Sequence, residues 1–360
     1  MSPRWVLVVA LAGCTAAEAK PAKKAAVPRK TDKAATSWLR FSPHSSYVCA
    51  RLLDGTFHVL GGPHQGIQLT EAATYAVRDL MCPIGGPTGL GANGEIEVGQ
   101  FSARKRPPSR AGTVAEATSL ARVGSATCWL DAAGALSCNE PTTYVFESKV
   151  AQALTELGPI AEMLPVTPHG LAHQEACARY RDGRVVCTTF ADKVYLTKPL
   201  WTDAVQASVY RHENTFAGCA VRTNGTVRCV GPDYYGLSGD IAGLTDVDEV
   251  AVSAAHACAR SKGRVWCWGR ATGYESGDAA RDKATPIKQC TTETTREAQL
   301  AAKCSPVAGE LMMAKPTLVD GVEGVVAIGV RGGSSCALTA KRQVVCWGYE
   351  KPGLRVTPLP

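Results

Sequence analysis

The chain of 360 residues is 45% hydrophobic and 20% charged, which excludes a mainly disordered chain and a protein with many membrane-spanning helices. Its formal net charge is +7, but residues 14–36 carry a local excess of +4 and Arg4 adds one more, which leaves +2 over residues 37–360. Because the folded part is nearly neutral, we expect no nucleic-acid partner. The fifteen cysteines are the unusual feature, and they suggest a compartment in which thiols are oxidised.

The N-terminal residues predict export. A short basic segment, residues 1–4, precedes the apolar residues 5–12, which are too few to span a bilayer, where about 20 are needed, but enough for a secretory signal. The run ends in Leu11-Ala12-Gly13-Cys14, which resembles the bacterial lipobox. In that motif small residues allow a signal peptidase to cut, and the cysteine thiol receives a diacylglycerol. An ordinary signal peptide with a chance cysteine is the alternative.

The resemblance implies a lipoprotein signal peptide over residues 1–13, lipidation at Cys14 and an exported protein anchored to the cell envelope. Residue 15 is Thr and not Asp, which by resemblance to enterobacterial sorting favours the outer membrane. Residues 14–36 are rich in Ala, Lys and Pro without hydrophobic periodicity, so we expect a flexible basic linker before a folded domain over 37–360. The lipid is the one membrane attachment that we predict.

Ten of the other cysteines fall into closely spaced pairs. Four pairs are ten residues apart and one is nine apart: Cys128 with Cys138, Cys177 with Cys187, Cys219 with Cys229, Cys336 with Cys346, and Cys258 with Cys267. Turn-forming dipeptides stand between several of them, namely Asp182-Gly183, Asn224-Gly225 and Lys262-Gly263, because glycine supplies a positive φ without strain. The longer spacing suits a three-residue loop with a glycine bulge, and the shorter one suits a two-residue turn. Cysteines opposed on an antiparallel pair lie about 4.5–5.5 Å apart, within reach of a disulfide.

Zinc ligation is the competing interpretation of these pairs. Structural zinc sites place about two to four residues between ligands, whereas these cysteines are further apart, and an exported chain favours oxidation. We therefore predict five hairpin disulfides, each closing a loop of about 11 residues and contributing up to ~2.7 kcal/mol in the chain-entropy model. Their role is structural, and no metal is expected.

Two further copies of the unit lack the second cysteine. Cys49 leads through Asp54-Gly55 to Val59, and Cys82 leads through a longer loop to Val98. That makes seven units whose first cysteines average about 48 residues apart, which is the blade-sized period of a β-propeller. Cys49 and Cys82 have lost their hairpin partners, and they either bond to each other or remain free thiols.

The best copies, residues 247–269 and 322–348, follow the pattern Val-x-x-Val…Cys-Ala-Leu-x-x-x-Gly-x-Val-x-Cys-Trp-Gly. This pattern resembles the regulator of chromosome condensation repeat, and the resemblance covers residues 37–360. It implies an all-β fold, a seven-bladed β-propeller. The long connector between Cys258 and Cys336 departs from the family, and we interpret it as an insertion at about 270–316 held by a sixth disulfide, Cys290–Cys304. Residues 353–360 could supply a strand to the first unit and so tie the chain ends together.

Five candidate motifs are incomplete as catalytic or ligand sites. They are Gly89-Leu-Gly91-Ala-Asn-Gly94, His169 with His173, Arg211-His-Glu-Asn214, the basic residues 104–110, and the acidic cluster of Asp246, Asp248 and Glu249. The glycine motif precedes a strand where a dinucleotide site needs a helix, the histidines lack a third ligand, and no nucleophile motif accompanies the others. We interpret all five as turns, loops or strand edges, and we expect no enzyme activity and no cofactor.

Loops on a rigid scaffold usually carry recognition. The candidate anchors for a partner are aromatic residues of the connectors, Trp201, Tyr210, Tyr234, Tyr235 and Tyr274, with packing between blades as the alternative for each. We predict a monomeric, non-enzymatic propeller that binds another protein or an envelope polymer, with the insertion as its specificity element.

The resembling family includes nuclear promoters of nucleotide exchange on a small GTPase and a secreted inhibitor of β-lactamases. An exported protein does not meet a cytosolic GTPase, so exchange is not expected here. Inhibition of a secreted enzyme is one alternative function. A glycan-acting envelope hydrolase with paired carboxylates is another, and an adhesin with weak multivalent contacts is a third.

Overall fold

Short antiparallel strands separated by glycine-containing turns make up most of the chain that the computed structural model describes. The described residues are 37–41, 47–61, 70–75, 77–82, 87–98, 109–124, 126–138, 145–167, 175–190, 193–212, 215–231, 238–274, 277, 283–290, 304–348 and 351–359. They belong to one unit, Ala35–Pro360. The predicted signal peptide, Cys14 and the linker lie outside them.

The strands form seven sheets, one for each repeat unit. Blade 1 contains β1 (Trp38–Phe41), β2 (Tyr47–Arg51), β3 (Phe57–Gly61) and β4 (Thr70–Tyr75), and blade 2 contains β5 (Asp79–Met81), β6 (Thr88–Leu90), β7 (Glu95–Val98) and β8 (Ser109–Thr113). Blade 3 contains β9 (Ala117–Val123), β10 (Ala126–Asp131) and β11 (Leu136–Cys138), and blade 4 contains β12 (Ile160–Leu164), β14 (Ala176–Tyr180), β15 (Val185–Phe190) and β16 (Val194–Leu196).

Blade 5 contains β17 (Ala204–His212), β18 (Thr215–Arg222), β19 (Val227–Val230) and β20 (Gly239–Asp240) as its first to fourth strands, and the two-residue β13 (Val166–Thr167) pairs with β17 in parallel. Blade 6 contains β21 (Val247–Val252), β22 (His256–Ser261), β23 (Arg264–Arg270), β24 (Thr285–Cys290) and β25 (Cys304–Leu318). Blade 7 contains β26 (Val325–Arg331), β27 (Ser334–Thr339), β28 (Gln343–Gly348) and β29 (Lys351–Pro358).

The blades form a ring whose inner wall is built from their first strands. The first strand of one blade contacts that of the next, as in β5 against β9, β12 against β17, β17 against β21 and β21 against β26. The ring closes where β1 contacts β26, and there Leu39 and Ala50 pack with Ala327 and Leu338. The chain is therefore a seven-bladed β-propeller, as predicted.

The C-terminal strand does not close the ring. β29 pairs along its length with β28 and is the outer strand of blade 7. The expectation that residues 353–360 add a strand to the first unit is therefore wrong. Apolar packing between blades 7 and 1 replaces the expected shared strand.

The turns between second and third strands have the predicted geometry. In blade 4 the Gly183 amide donates to the Tyr180 carbonyl at 3.0 Å, and Gly183 has a φ of 89°, so a glycine bulge closes the three-residue loop. In blade 6 both turn residues have positive φ, 52° at Lys262 and 71° at Gly263, which is the two-residue turn that the shorter spacing predicts.

Five disulfides join the second and third strands of blades 3 to 7. In each, the two cysteines are direct cross-strand partners, with Cα atoms 3.9–4.1 Å apart. In blade order they are Cys128–Cys138, Cys177–Cys187, Cys219–Cys229, Cys258–Cys267 and Cys336–Cys346.

These five bonds confirm the prediction of hairpin disulfides, and zinc ligation is wrong for all ten cysteines. One detail of the prediction is corrected, because the Cα atoms lie closer together than the expected range of about 4.5–5.5 Å for opposed residues. Cysteine sulfurs bonded across the two strands draw the chains together at these positions. Such bonds persist where thiols are oxidised, so the fold is adapted to an oxidising compartment.

Cys49 and Cys82 form a disulfide with their Cα atoms 6.4 Å apart, so the pairing alternative is confirmed for them. It joins blade 1 to blade 2, whereas the other five lie within blades. Cys82 directly follows β5, and the residue opposite Val98 is Thr88. Thr88 therefore occupies the position that we assigned to Cys82, and the first cysteine of unit 2 is absent from its hairpin.

Two blades depart from the regular pattern. In blade 3 a helix, α1 (Val145–Thr155), follows the third strand and buries Val150, Ala151 and Leu154 in the core. The sequence analysis did not predict it. This helix is too short and too polar to cross a membrane, and the described part of the chain contains no helix that could.

In blade 6 the predicted insertion forms an arm, the hairpin of β24 and β25. The C-terminal part of β25 is the fourth strand of the blade, since Leu318 pairs with Trp266 and Met312 with Arg270. The N-terminal part pairs with β24 and places Cys290 opposite Cys304. That register is the one a disulfide requires, and the sixth disulfide itself stays a prediction.

Candidate functional site

The ring presents two different faces. We call the face with the turns between second and third strands, where the chain also enters the next blade, the turn face, and the face with the connections between first and second and between third and fourth strands the loop face. The first strands begin at the turn face, because each of five turn glycines accepts a hydrogen bond from the start of the next blade. The pairs are Gly94 O with Val114 N, Gly134 O with Ile160 N, Gly183 O with Ala204 N, Gly225 O with Val247 N, and Gly263 O with Val325 N, at 2.7–3.0 Å.

A second set of bonds between blades comes from polar side chains on the first strands. Asp79 Oδ2 accepts from Leu120 N at 2.7 Å, and Glu249 Oε2 accepts from Ile328 N at 3.1 Å. Gln206 both accepts from Val250 N at 2.9 Å and donates to Val250 O at 3.0 Å. These three side chains occupy one repeat position, and each bonds to the first strand of the following blade. They position the inner wall of the channel.

Glu162 occupies the same repeat position in blade 4, but its carboxylate points across the channel. Its Oε1 lies 3.5 Å from Arg40 NH2 in blade 1, and its Oε2 lies 3.3 Å from Arg179 NH2 in its own blade. The side chains of Arg40, Glu162 and Arg179 are 29%, 34% and 19% exposed. Solvent therefore reaches this charged cluster from the channel.

Glu249 is a carboxyl group of the inner wall whose pKa is strongly raised. Burial raises its pKa to about 7, against the stabilising effect of Arg260, whose Nε lies 3.2 Å from Oε2. Asp248 is 3.1 Å from the same guanidinium, and Asp246 is 3.0 Å from Lys262 Nζ. The acidic cluster of the sequence is thus neutralised by its own cations, which supports the strand-edge interpretation over a calcium site.

A buried histidine joins blades 6 and 7 towards the loop face. His256 lies 3.1 Å from Ser253 Oγ and 2.7 Å from Ser335 Oγ, and burial lowers its pKa to about 3. Ser253, His256 and Ser335 are all at most 1% exposed. A substrate cannot reach this serine–histidine contact, so we interpret it as a structural polar network.

The arm of blade 6 extends beyond the loop face. β23 ends at Arg270, which pairs with Met312, whereas β25 begins at Cys304. The strand therefore continues past the end of its neighbour. The base is fixed by Leu311 N, which donates to Thr272 Oγ1 at 2.8 Å, and by packing of Met313 on Ala271.

The predicted aromatic anchors do not form one surface. Trp201 and Tyr210 are each 3% exposed; Trp201 Nε1 donates to Arg228 O at 3.0 Å, and the two rings belong to different core clusters. The prediction that they contact a partner is wrong, because they pack between blades. Tyr274 is half-buried at the base of the arm with a φ of 64°, and its role stays a prediction. Tyr234 and Tyr235 lie outside the described residues.

The other sequence candidates are also placed. Gly91 and Gly94 belong to the turn before β7, as predicted, and Arg211 lies 3.2 Å from Glu175 in an ion pair. The ranges 104–108 and 213–214, together with His169 and His173, lie outside the described residues. Within the described ranges, no three His, Cys, Asp or Glu side chains are grouped as metal ligands.

The sequence analysis missed the cluster of Arg40, Glu162 and Arg179. A signal existed for one part of it, since the third residue of Ile160-Ala-Glu-Met, Ala204-Val-Gln-Ala and Val247-Asp-Glu-Val is polar each time. A second signal marks Arg179, because Cys-Ala-Arg recurs at residues 49–51, 177–179 and 258–260 and Arg179 is the cross-strand partner of Glu162 in blade 4. Arg40 has no such pattern, and it reaches Glu162 only because the ring closes.

No protein-family model matches this sequence, and no curated protein is similar to it. Several solved structures are weakly similar. Prp20p of Saccharomyces cerevisiae, whose binding to Gsp1p and histones has been described, is 12% identical with a TM-score of 0.41, over 86% of this chain and 71% of that one. PorZ, a surface component of the type-IX secretion system of Porphyromonas gingivalis, is 10% identical with a TM-score of 0.45, over 90% and 38%.

Hsv2 of Kluyveromyces lactis is 11% identical with a TM-score of 0.48, over 90% of this chain and 100% of that one. Scores below 0.5 at such identities do not establish a relationship. The propeller fold of this chain rests on its own seven sheets.

Proposed function

We propose that this protein is an exported, lipid-anchored binding module that recognises a protein partner through the arm of blade 6, without catalysing a reaction. The observation that carries the proposal is the arm itself. It is built on the fourth strand of blade 6 and continues beyond the loop face, past the end of the neighbouring strand β23. A polymer of the envelope is the other ligand class that such an arm could bind.

The rigidity of the ring supports a binding role. Five hairpin disulfides and one disulfide between blades cross-link the ring, and two sets of hydrogen bonds join each of several blades to the next. A preorganised surface loses little conformational entropy when a partner binds. The arm would then present its tip on a scaffold that does not rearrange.

The lipid anchor and the basic linker are inferred from the sequence alone. Lipidation at Cys14 and a basic tether over residues 14–36 would hold the propeller at the envelope, with Lys and Arg of the tether close to anionic headgroups. Incorporation of a labelled fatty acid into the full chain tests this part, and it should be lost in Cys14→Ser. Labelling that persists in the variant would overturn the anchor.

Capture from the envelope of the producing organism tests the binding role. The bait is the oxidised full chain in detergent, and its matched control replaces residues 287–309 by a short Gly-Ser linker, which preserves the pairing of Met312 with Arg270. We expect one saturable protein partner that the control does not retain. Equal capture of the partner by the full chain and by the control would show that the arm is not needed for recognition. Capture of glycan without protein would favour polymer binding.

A glycan hydrolase is the second candidate, favoured by one observation. Burial, with a smaller effect of the Glu162 charge, raises the pKa of Glu249 to about 7, which is what a general acid needs. Against it, Arg260 and Ile328 N already occupy the Glu249 carboxylate. Release of soluble sugar from purified envelope glycan, lost in Glu249→Gln, would establish the hydrolase in place of the binding module.

A further inference from the structure

We propose that the channel of the propeller holds a binding site for a carboxylate group of a partner, formed by Arg40, Arg51 and Arg179 near the turn face. The site is separate from the arm and does not depend on it. Its ligand is the carboxylate of an Asp or Glu side chain, or of a chain terminus, inserted into the channel.

Two of these arginines have unused hydrogen-bonding capacity. Arg51 Nε and Arg179 Nε are buried, and neither has a hydrogen-bond partner among the residues that the structure describes. Buried donors of an arginine are rarely left unpaired, because desolvation of the charged group is then uncompensated. A planar carboxylate is the group whose two oxygens match the parallel donors of a guanidinium.

The geometry of Glu162 shows that a carboxylate fits between these arginines. Its two oxygens are shared between Arg40 at 3.5 Å and Arg179 at 3.3 Å, whereas charge-assisted bonds are typically about 2.7–2.9 Å long. The protein's own carboxylate thus shows that this chemistry fits between the two blades, but it holds both guanidinium groups loosely. A second carboxylate could satisfy the donors that Glu162 does not reach.

The local charge around these arginines is positive. Arg40 and Arg51 both act on Asp79, but burial raises the pKa of that carboxyl and its Oδ2 already accepts from Leu120 N. Glu162 is shared by Arg40 and Arg179, so one carboxylate faces two guanidinium groups, and among the described residues Arg51 adds a third positive charge beside Arg40 with no ion pair to Glu162. The excess of positive charge favours an anionic ligand over a neutral one.

The stacking of two arginines keeps the site in place. The Arg40 guanidinium lies 4.8 Å from the centre of the Trp38 ring, and that of Arg51 lies 5.3 Å from the centre of the Phe57 ring. The two rings pack edge to face at 5.7 Å. Both cations are thus oriented by a rigid aromatic pair before any ligand arrives.

Fluorescence anisotropy with a fluorescein-labelled hexaglutamate peptide tests the proposal. We expect saturable binding to the oxidised full chain, about tenfold weaker in Arg179→Gln because a charged hydrogen-bond partner is lost. In Glu162→Gln binding should be about fivefold tighter, because a like charge is removed. Since the second variant gains affinity, impaired folding of the first cannot produce the pattern.

The control variant is Arg228→Gln, which removes a positive charge that is 50% exposed on blade 5 and paired with Asp240. Its affinity should match that of the unmodified chain. If Arg228→Gln and Arg179→Gln weakened peptide binding equally, the effect would come from general electrostatics, and the proposed site would be wrong. Complete competition by inorganic phosphate, with none by free glutarate, would assign the arginines to phosphate and overturn the carboxylate assignment.

Discussion

The junction between blades 1 and 2 differs from the five consecutive junctions that link blades 2 to 7. In these five, the carbonyl of a turn glycine bonds to the start of the next blade. At the first junction a disulfide, Cys49–Cys82, joins the blades covalently, and a Cβ added at the turn glycine, Gly55, would meet nothing within 4 Å. A close backbone approach and a covalent bond thus serve the same purpose at different places in the ring.

The largest effect is expected from a methyl group placed in one of the close approaches. Gly134 and Gly55 have nearly the same φ, 89° and 83°, but a Cβ at Gly134 would lie 2.5 Å from the carbonyl oxygen of Ile160. We expect Gly134→Ala to lower the free energy of unfolding by about 4 kcal/mol and Gly55→Ala to lower it by about 1 kcal/mol. Both variants place alanine in a left-handed backbone conformation, and only Gly134→Ala also creates a steric clash. Urea unfolding of both variants measures the difference, and equal costs would contradict the role of the turn glycine in the junction.

Removal of the disulfide between blades should cost more than removal of one within a blade. Cys49–Cys82 closes a sequence separation of 33 and Cys128–Cys138 one of 10. The chain-entropy model gives about 3.8 kcal/mol for the first and about 2.7 kcal/mol for the second. Denaturant unfolding of the double variant Cys49→Ala with Cys82→Ala, beside that of Cys128→Ala with Cys138→Ala, checks the order. A larger loss from the hairpin pair would mean that blade 1 is held chiefly by packing.

The junctions also differ in their response to pH. Glu249 and Gln206 each accept a hydrogen bond from a backbone amide of the following blade, but only Glu249 is titratable. Burial raises the pKa of Glu249 from 4.5 to about 7 in the folded protein, so the unfolded chain releases this proton first and stability falls as the pH rises from about 4.5 to 7. Glu249→Gln keeps the acceptor for Ile328 N and removes the titration. Relative to the unmodified protein the variant should gain up to about 3 kcal/mol over that range.

Unfolding free energies of both proteins, measured every half unit of pH, give the difference curve. His256 has the opposite dependence, because its pKa is lowered to about 3 and its contribution is lost as the pH falls below 6.5, but it is common to both proteins and cancels. A flat difference curve would show that folding leaves the pKa of Glu249 unchanged.

The smallest effect is expected where the ring closes. Arg342 of blade 7 pairs with Asp54 of blade 1, and the Thr56 hydroxyl and amide, followed by Arg342, lower the pKa of Asp54 to about 2. Both side chains are more than 40% exposed, so we expect Arg342→Gln to cost less than about 1 kcal/mol. Thermal unfolding at low and high salt measures it. A loss comparable to that of the disulfide would mean that this ion pair, and not apolar packing, closes the ring.

Local chemistry explains which features could be predicted from the sequence. Asp-Gly, Asn-Gly and Lys-Gly specify their turns by backbone preference alone, and cysteines nine or ten residues apart, such as Cys258 with Cys267 or Cys336 with Cys346, are then opposed by geometry. The position of Thr88 was equally readable, since it precedes Val98 by the same ten residues. Thr88 breaks the cysteine pattern by which the other units are identified.

Features that depend on ring closure were not predictable in this way. Arg40 and Glu162 are separated by 122 positions, and no local pattern relates them. Trp201 and Tyr210 appear as connector residues in the sequence, but neighbouring blades bury them. The helix α1 replaces a strand on the outside of blade 3, where the repeat gives no constraint from an inner neighbour.

The order of the cysteines has a consequence for biogenesis. Every disulfide of the described residues joins two cysteines that are neighbours along the sequence: Cys49 with Cys82, Cys128 with Cys138, Cys177 with Cys187, Cys219 with Cys229, Cys258 with Cys267, and Cys336 with Cys346. An oxidant that links thiols in their order of emergence from a translocation channel would produce the native set directly, provided that Cys14 is withdrawn by the proposed lipid. A blade could thus be locked while the next is still being exported, and maturation of this propeller should require an oxidase but no disulfide isomerase.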